Sequence, residues 1–458
     1  MHIPEGVTAV IGLGVSGRAI CRHLTRLGRS FAMLDTRAAP PGLEAFKAEY
    51  PDVATYCGPL DAVDFSRAFE VVISPGVDPL TPGLEGLLDE HNPATNEPRL
   101  VGEIALFKRA VKAPVAAITG ANAKSTVTTL LGEMAHASNV AAAVGGNLGT
   151  AALDLLEAHP DAELYILELS SFQLETTPRL GAAAVAFLNL SEDHLDRHAT
   201  LERYRQAKAR IFIHAGLAVV NADDPLTWPD DTAVPVVRFT GHAPGQEEWG
   251  LVTFEGQQWL ARGADRVMRV DALGMAGRHN YMNALAALAL GEALGFSRAA
   301  MRTVLETFKG LPHRSEVVDT LNGVRFVNDS KGTNVGATLA AIEGIGATLE
   351  GRLVLLAGGV GKGADFTPLA APLARYARQV LVFGADAQRL KIALTPTVAV
   401  REVETLEQAL EAALEVARPG DCVLLSPACA SLDQFANYEA RGEAFRQWVL
   451  RQRSEVNA

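Results

Sequence analysis

Residues 118–126 read Ile118-Thr119-Gly120-Ala121-Asn122-Ala123-Lys124-Ser125-Thr126, a short apolar run that stops at a glycine before a Lys-Ser-Thr triplet opens a helix. Those residue types in that order suit a polyphosphate. Backbone N–H groups of the turn and of the helix start converge on one spot and hold anionic oxygens. Lys124 is expected to reach β- and γ-phosphates, and Ser125 to hold Mg²⁺. The fit to G-x-x-x-x-G-K-[ST] is imperfect, because Ala123 stands where a glycine is expected and the loop is one or two residues short. The plainer alternative is an ordinary strand-to-helix turn with a lysine on its first turn.

Three further stretches carry reactive side chains. The apolar run from Leu164 ends on Glu168, and an acid at the carboxyl end of a buried parallel strand stands beside a phosphate loop, where it can hold Mg²⁺. A strand expected over 183–190 delivers Glu192-Asp193-His194, which makes His194 a candidate metal or phosphate ligand at the same sheet edge. Lys208, in a helix expected over 201–214, reads on its own as a solvated lysine. Asn280 and Asn283, three apart near a helix start, are either caps or base contacts.

The N-terminal stretch has the look of a dinucleotide site. An apolar run over 7–11 leads into Gly12-Leu13-Gly14-Val15-Ser16-Gly17, and Asp35 follows a second strand 18 residues beyond Gly17. Alone, that pattern predicts NAD with Asp35 on a ribose hydroxyl. The same geometry binds any nucleotide phosphate. Another strand, 69–73, runs into Ser74-Pro75-Gly76 at the same edge.

Positioning these groups takes several strand-helix units. At 458 residues the chain exceeds one hydrophobic core, and 48% hydrophobic with 21% charged residues describes a globular α/β protein. The expected fold class is α/β in three domains: a Rossmann-like unit over 1–103, a central P-loop unit with a parallel sheet over 104–309, and a second Rossmann-like unit over 310–458. Short antiparallel strands are expected between 228 and 270. In the last unit, strands over 324–327, 353–357, 380–383 and 422–425 end in loaded loops, from Asn328 to Asn334, Gly358 to Gly363 and Ser426 to Phe435. A net charge of -12 without a basic patch argues against nucleic acid. No run of 18 apolar residues and no signal-like N-terminus is found, and Cys21, Cys57, Cys422 and Cys429 lack C-x-x-C spacing, so reduced thiols and a cytoplasmic location are expected.

In order and over nearly the whole chain, these motifs resemble the Mur ligases. The resemblance rests on the Gly120-to-Thr126 loop, Glu168-Leu169-Ser170-Ser171-Phe172-Gln173, Glu192-Asp193-His194-Leu195-Asp196, Leu311-Pro312-His313-Arg314, Asn328-Asp329-Ser330-Lys331 and the run from Ser426 to Phe435. Asp35-Thr36-Arg37 and the last run are similar to the branch that adds D-glutamate, and the Asp-Asn-Pro-Arg motif of the diamino-acid branch is missing. The resemblance implies a monomeric ligase of peptidoglycan synthesis, joining D-glutamate to UDP-N-acetylmuramoyl-L-alanine through an acyl phosphate, with ATP and two Mg²⁺ ions. It implies catalytic roles for Lys124, Glu168, His194 and Lys208, with Lys208 carbamylated by CO₂ and ligating metal beside Ser125, Glu168 and His194. ATP would meet Gly120, Asn122, Lys124, Ser125, Thr126, Asn280, Asn283, Arg314 and Asp329. The UDP-linked acceptor would meet Ser16, Asp35, Thr36, Arg37, Ser74, Gly76 and Asn147, and D-glutamate Thr333, Lys362, Ser431, Leu432 and Tyr438. Because the other site residues are intact, Ala123 is expected at negative φ with its methyl turned from the phosphates. The alternatives are another Mur-type or folylpolyglutamate-type amide ligase, an NAD(P)-binding oxidoreductase, or a nucleotide-binding module that has lost catalysis.

Overall fold

Residues 2–456 apart from Thr95 and Ala276 are described by a computed structural model. Three large sheets follow one another along the chain. The first is all parallel, in the order Thr55–Cys57, Phe31–Asp35, Thr8–Ile11, Val71–Ile73, Leu100–Gly102. The second has nine strands, with Val115–Thr119 between Ala184–Phe187 and Leu164–Glu168. The third has six, and all but its Glu316–Leu321 edge run parallel.

The central strands are continuous apolar runs because helices cover both faces, leaving no polar side to alternate with. The helix Lys124–Ala137 follows the same logic at a different period. Val127, Leu130, Leu131 and Met134 fall on one face and pack with the buried alanines and leucines of the helix Arg278–Ala293. It ends where Asn139 takes a left-handed φ of 61°, a conformation asparagine tolerates.

One apolar core joins the first two sheets: Val10, Ile20, Val72 and Phe107 pool with Val115, Tyr165, Phe187 and Ile211. The two cores of the third unit draw only on residues between 321 and 449. The third unit therefore shares no apolar core with the central one, and meets it through polar side chains and a packing of its helix Val335–Gly346 on the helix Arg278–Ala293.

Several expectations are corrected by this architecture. Val236–Phe239 is not part of an antiparallel group; it extends the parallel sheet, and only Trp249–Phe254, Gln257–Arg262 and Asp265–Arg269 form the meander. The strand Ala142–Gly146 forms the edge of the central sheet beside Leu164–Glu168. The run from Leu164 ends as a strand at Glu168, as expected, because Ser170 and Gln173 form a reciprocal capping box that opens the helix Ser171–Glu175. The helix expected to reach 214 ends at Ala209, followed by the tight turn Arg210–Phe212.

Candidate active site

Parallel strands deliver their loops to one edge, and at the central sheet's carboxyl edge this gathers the phosphate loop, Glu168 and the 191–194 turn. The Lys124 ammonium donates to the carbonyls of Gly120 at 2.9 Å and Ala121 at 3.1 Å, folded over its own loop. Glu168 is 3% exposed. Its Oε1 accepts from Asn147 at 2.7 Å, and its Oε2 is buried with no hydrogen-bond partner among the described residues. Burial pushes this carboxyl up, but Lys124, the Ser125 hydroxyl, Asn147 and Arg314 outweigh it and hold it below the usual carboxylate range. A buried, ionised oxygen without a donor suits a cation.

Ala123 does not take the expected conformation. Its φ is 67° and ψ -5°, in the left-handed region, because the turn must reverse there before Lys124 can start the helix. A non-glycine residue pays roughly 1–2 kcal/mol for this. The methyl packs against the central core and borders a cavity of about 800 Å³.

Lys208 is no solvated lysine. It is 1% exposed, donates to the Gly120 carbonyl at 2.8 Å, and lies 4.6 Å from the centre of the Tyr204 ring. Burial, reinforced by the Lys124 charge, drives its pKa well below the ordinary lysine value. Burial thus disfavours the charged form of an amine that lies against the phosphate loop. His194 has a left-handed φ of 53° and packs edge-on against Phe172, with ring centres 5.0 Å apart. Its pKa is lowered by burial in spite of Asp193 beside it.

Groups from the third unit close over this edge. Arg314 donates to the Ser125 hydroxyl at 2.7 Å. Asn334 donates to Asn122 and to Asp193, both at 3.2 Å, and Lys362 pairs with Asp193 at 3.4 Å. The cavity between the units is lined by Asn280, Asn283, Arg314 and Asp329, with Asn283 donating to Asn280 at 3.1 Å. Asp329 accepts from the Ser315 amide and the Ser426 hydroxyl, and burial pushes it up to about 6.

Thr333, Lys362 and Ser431 sit on three loops at the carboxyl edge of the third sheet, and two of those loops are cross-bonded between Val360 and Ala430. Ser431 is buried, Leu432 is 70% exposed, and Lys331 sits 3.8 Å over the Tyr438 ring. Arg441, which the sequence reading passed over, is fully buried and bonds the carbonyls of Ser330, Gly358 and Cys429, tying the three loops together. Its sequence setting, Glu439-Ala440-Arg441, looks like any exposed helix turn.

At the first sheet's edge Asp35 is not left open for a ribose. Its two oxygens accept from the Leu13 amide at 2.8 Å and from the Arg37 guanidinium and amide, so it braces the glycine turn. Ser74 donates to the Gly12 carbonyl, and a Cβ on Gly17 would lie 1.9 Å from that same oxygen, which is why the turn needs glycine there. Ser16, Thr36 and Gly76 belong to the same edge. Among the described residues no three His, Cys, Asp or Glu side chains cluster as a metal cage, and no helix is long and apolar enough to cross a membrane.

Comparison with known proteins adds sequence evidence to this geometry. Residues 7–94 match the Mur ligase MurD-like N-terminal domain, 118–291 the Mur ligase middle domain, and 313–429 the Mur ligase glutamate ligase domain. The chain is 62% identical over 448 residues to the UDP-N-acetylmuramoylalanine--D-glutamate ligase of Chromohalobacter salexigens, covering 98% of each. It is 51% identical to the ligase of that name from Pseudomonas aeruginosa, covering 96% of this chain and 97% of that one. The crystal structure of a MurF ligase from Thermotoga maritima in complex with ADP shares the fold at a TM-score of 0.60 and 16% identity, over 98% of this chain and 96% of that one. With full-length relatives at this identity and all three domain types in order, the chain belongs to the Mur ligase family.

Proposed function

We propose that this chain uses ATP to join the carboxylate of UDP-N-acetylmuramoyl-L-alanine to the amine of D-glutamate, in the cytoplasm, and that its domains divide near residues 103 and 309. The observation that carries the reading is the convergence of Lys124, Ser125, Glu168 and Arg314 from two units on one loop. Phosphoryl transfer to a carboxylate brings two anions together, and fixed cations offset their repulsion. Lys124 and Arg314 supply that charge to the β- and γ-phosphates, while Asn280, Asn283 and Asp329 face the nucleoside in the cavity. The acyl phosphate so formed is attacked by the amine, and phosphate leaves.

Mg²⁺ fits the residues present: the orphaned Glu168 Oε2 and the Ser125 hydroxyl would hold one ion, and His194 with a carbamate on Lys208 a second. Such ions supply charge neutralisation on both sides of the transferred group. An unprotonated lysine is the form that adds to CO₂, and the burial of Lys208 favours that form. Its nitrogen lone pair would add to the carbon of CO₂ as one C=O π pair moves onto oxygen, and the N–H proton would be released to solvent, leaving a carbamate whose anionic oxygens are the ligand.

Ser16, Thr36, Arg37, Ser74 and Gly76 take the UDP end of the acceptor at the turn that Asp35 braces, and Asn147 the sugar-peptide end. Lys362, Thr333, Ser431, Leu432 and Tyr438 take D-glutamate. The test is phosphate release from ATP with each acceptor and amino acid in turn. Release that requires both UDP-N-acetylmuramoyl-L-alanine and D-glutamate is expected; release with a diamino acid instead, or reduction of NAD, overturns the assignment.

A further inference from the structure

Four strand ends of the first sheet bring polar groups to its carboxyl edge, and two of these are acids. Asp35 is neutralised by Arg37. Glu103, which follows the edge strand Leu100–Gly102, has no cation partner among the described residues and is 1% exposed. Its Oε1 accepts from the Leu153 amide at 3.0 Å, at the start of the helix Ala152–Ala158. Its Oε2 is buried without a hydrogen-bond partner among the described residues.

What surrounds Glu103 is informative. The Ser16 hydroxyl, on the first turn after the glycine loop, and the Ala152 amide both face its carboxyl. Asp154 is the nearest acid, and Arg22 from the Ser16 helix holds Asp154 through two bonds of 3.0 and 2.6 Å. Burial pushes the Glu103 carboxyl up, against the pull of the Leu153 amide and Ser16. The strand before it is pinned by Gly102, whose amide donates to the Thr176 carbonyl and whose missing Cβ would collide with the Thr176 hydroxyl. The helix it caps begins directly after the turn that presents Asn147 to Glu168, a turn closed by the Gly146 amide on the Thr150 carbonyl.

We infer that Glu103 is a positioning residue for the acceptor: one buried carboxyl at the edge of the first sheet, faced by the Ser16 turn, is bonded to the helix start behind the Asn147 turn of the second and, with the Arg22–Asp154 pair beside it, keeps the two turns in a single frame. The inference rests on the reading that the acceptor spans from Ser16 to Asn147. A ligand that touches both turns feels any slippage between them, whereas one confined to the first sheet does not. Nucleotide bound at the phosphate loop is likewise indifferent, since Lys124 and Ser125 take no bond from Glu103.

The test compares wild type, Glu103→Ala and Glu103→Gln in the full-length enzyme. Glu103→Ala is expected to raise the KM for the UDP-linked acceptor by about tenfold, with the KM for ATP within about twofold and the affinity for UDP alone within about threefold. Glu103→Gln keeps an oxygen for the Leu153 amide and is expected to bring the acceptor KM back to within about threefold of wild type. An equal rise in both KM values, an unchanged acceptor KM, or a Gln variant as poor as Ala overturns the inference. Should Glu103→Ala not fold, Glu103→Asp, one methylene short of the Leu153 amide, must show the same selective rise at about threefold or more. A wild type that takes no UDP-linked acceptor defeats the functional reading as well; a wild type that does, beside an indifferent Glu103→Ala, defeats this inference alone.

Discussion

Arg314 of the third unit donates to the hydroxyl of Ser125, a central-unit residue, across 2.7 Å. Its guanidinium is half-buried, and desolvation lowers its pKa while Glu168 supports the charge. Arg314→Lys keeps a cation but loses the planar fork that reaches Ser125 and a phosphate together. We expect kcat to fall by about 10²–10³ with the urea midpoint nearly unchanged. Single-turnover phosphate release checks it, and a loss below about fivefold would remove Arg314 from the transfer step.

Lys208→Ala is expected to be inactive and to regain part of its activity with added acetate or a similar short carboxylate, since the missing group would be an anion. Rescue by an added amine in place of an acid would contradict a carbamate. ¹³CO₂ labelling of the wild type gives an independent reading.

Lys362 pairs with Asp193 at 3.4 Å and is partly exposed, so it can exchange that partner for an amino-acid carboxylate. A charge-assisted bond of this kind contributes about 1.5–3 kcal/mol. Lys362→Ala should therefore raise the KM for D-glutamate about tenfold or more and the KM for ATP little. Equal rises in both would place Lys362 elsewhere.

At Ala123 the left-handed φ changes the balance expected from sequence. Replacement by glycine relieves roughly 1–2 kcal/mol of strain and gives back about 0.4–1 kcal/mol through a freer unfolded chain. Ala123→Gly should thus leave stability unchanged or raise it by about 1 kcal/mol, and alter kcat by less than about tenfold. A urea midpoint that drops in the variant would show that the strain is relieved in some other way.

Asp329 titrates near 6 in the folded chain against an ordinary 3.8, because burial disfavours its charge. Between those values the folded state holds a proton the unfolded state has released. The stability it confers is full below about pH 4 and is lost as pH rises through about 6. Asp329→Asn should flatten that part of the pH profile, whose height is on the order of 2–3 kcal/mol. Urea midpoints from pH 4 to 8 in both proteins measure it; parallel profiles would assign the proton to another group.

Much of the fold was legible because strands buried on both faces appear as unbroken apolar runs, each ending at a loop rich in Gly, Asn, Ser or Lys. Thus Val115–Thr119, Leu164–Glu168 and Cys422–Leu425 were found close to their true bounds. The edge strands Glu316–Leu321 and Val400–Glu402 were not, since half-exposed strands of mixed polarity lack that signal. Among site residues, the loop lysine and Glu168 announce themselves by position on a strand end. Lys208 does not, because its burial is set by Thr119 and Gly120, nearly ninety positions earlier in the chain. Nor does Arg441, whose partners lie on three separate loops. The backbone strain at Ala123 was misread for a related reason: φ there is imposed by the reversal of the loop, and the residue type argued the other way.

The single apolar core shared by the first two sheets has a thermodynamic consequence. Neither sheet can be exposed to water without uncovering the other's buried face, so the two should melt together. The third unit, closed on its own cores and joined to the rest by Arg314, Asn334, Lys362 and the packing of its helix Val335–Gly346 on Arg278–Ala293, shares no apolar core with them and can come apart first or last. A chain with three large sheets then has two cooperative bodies. Hydrogen exchange would resolve it into two protection classes, split between the central helices and the residues beyond Arg314.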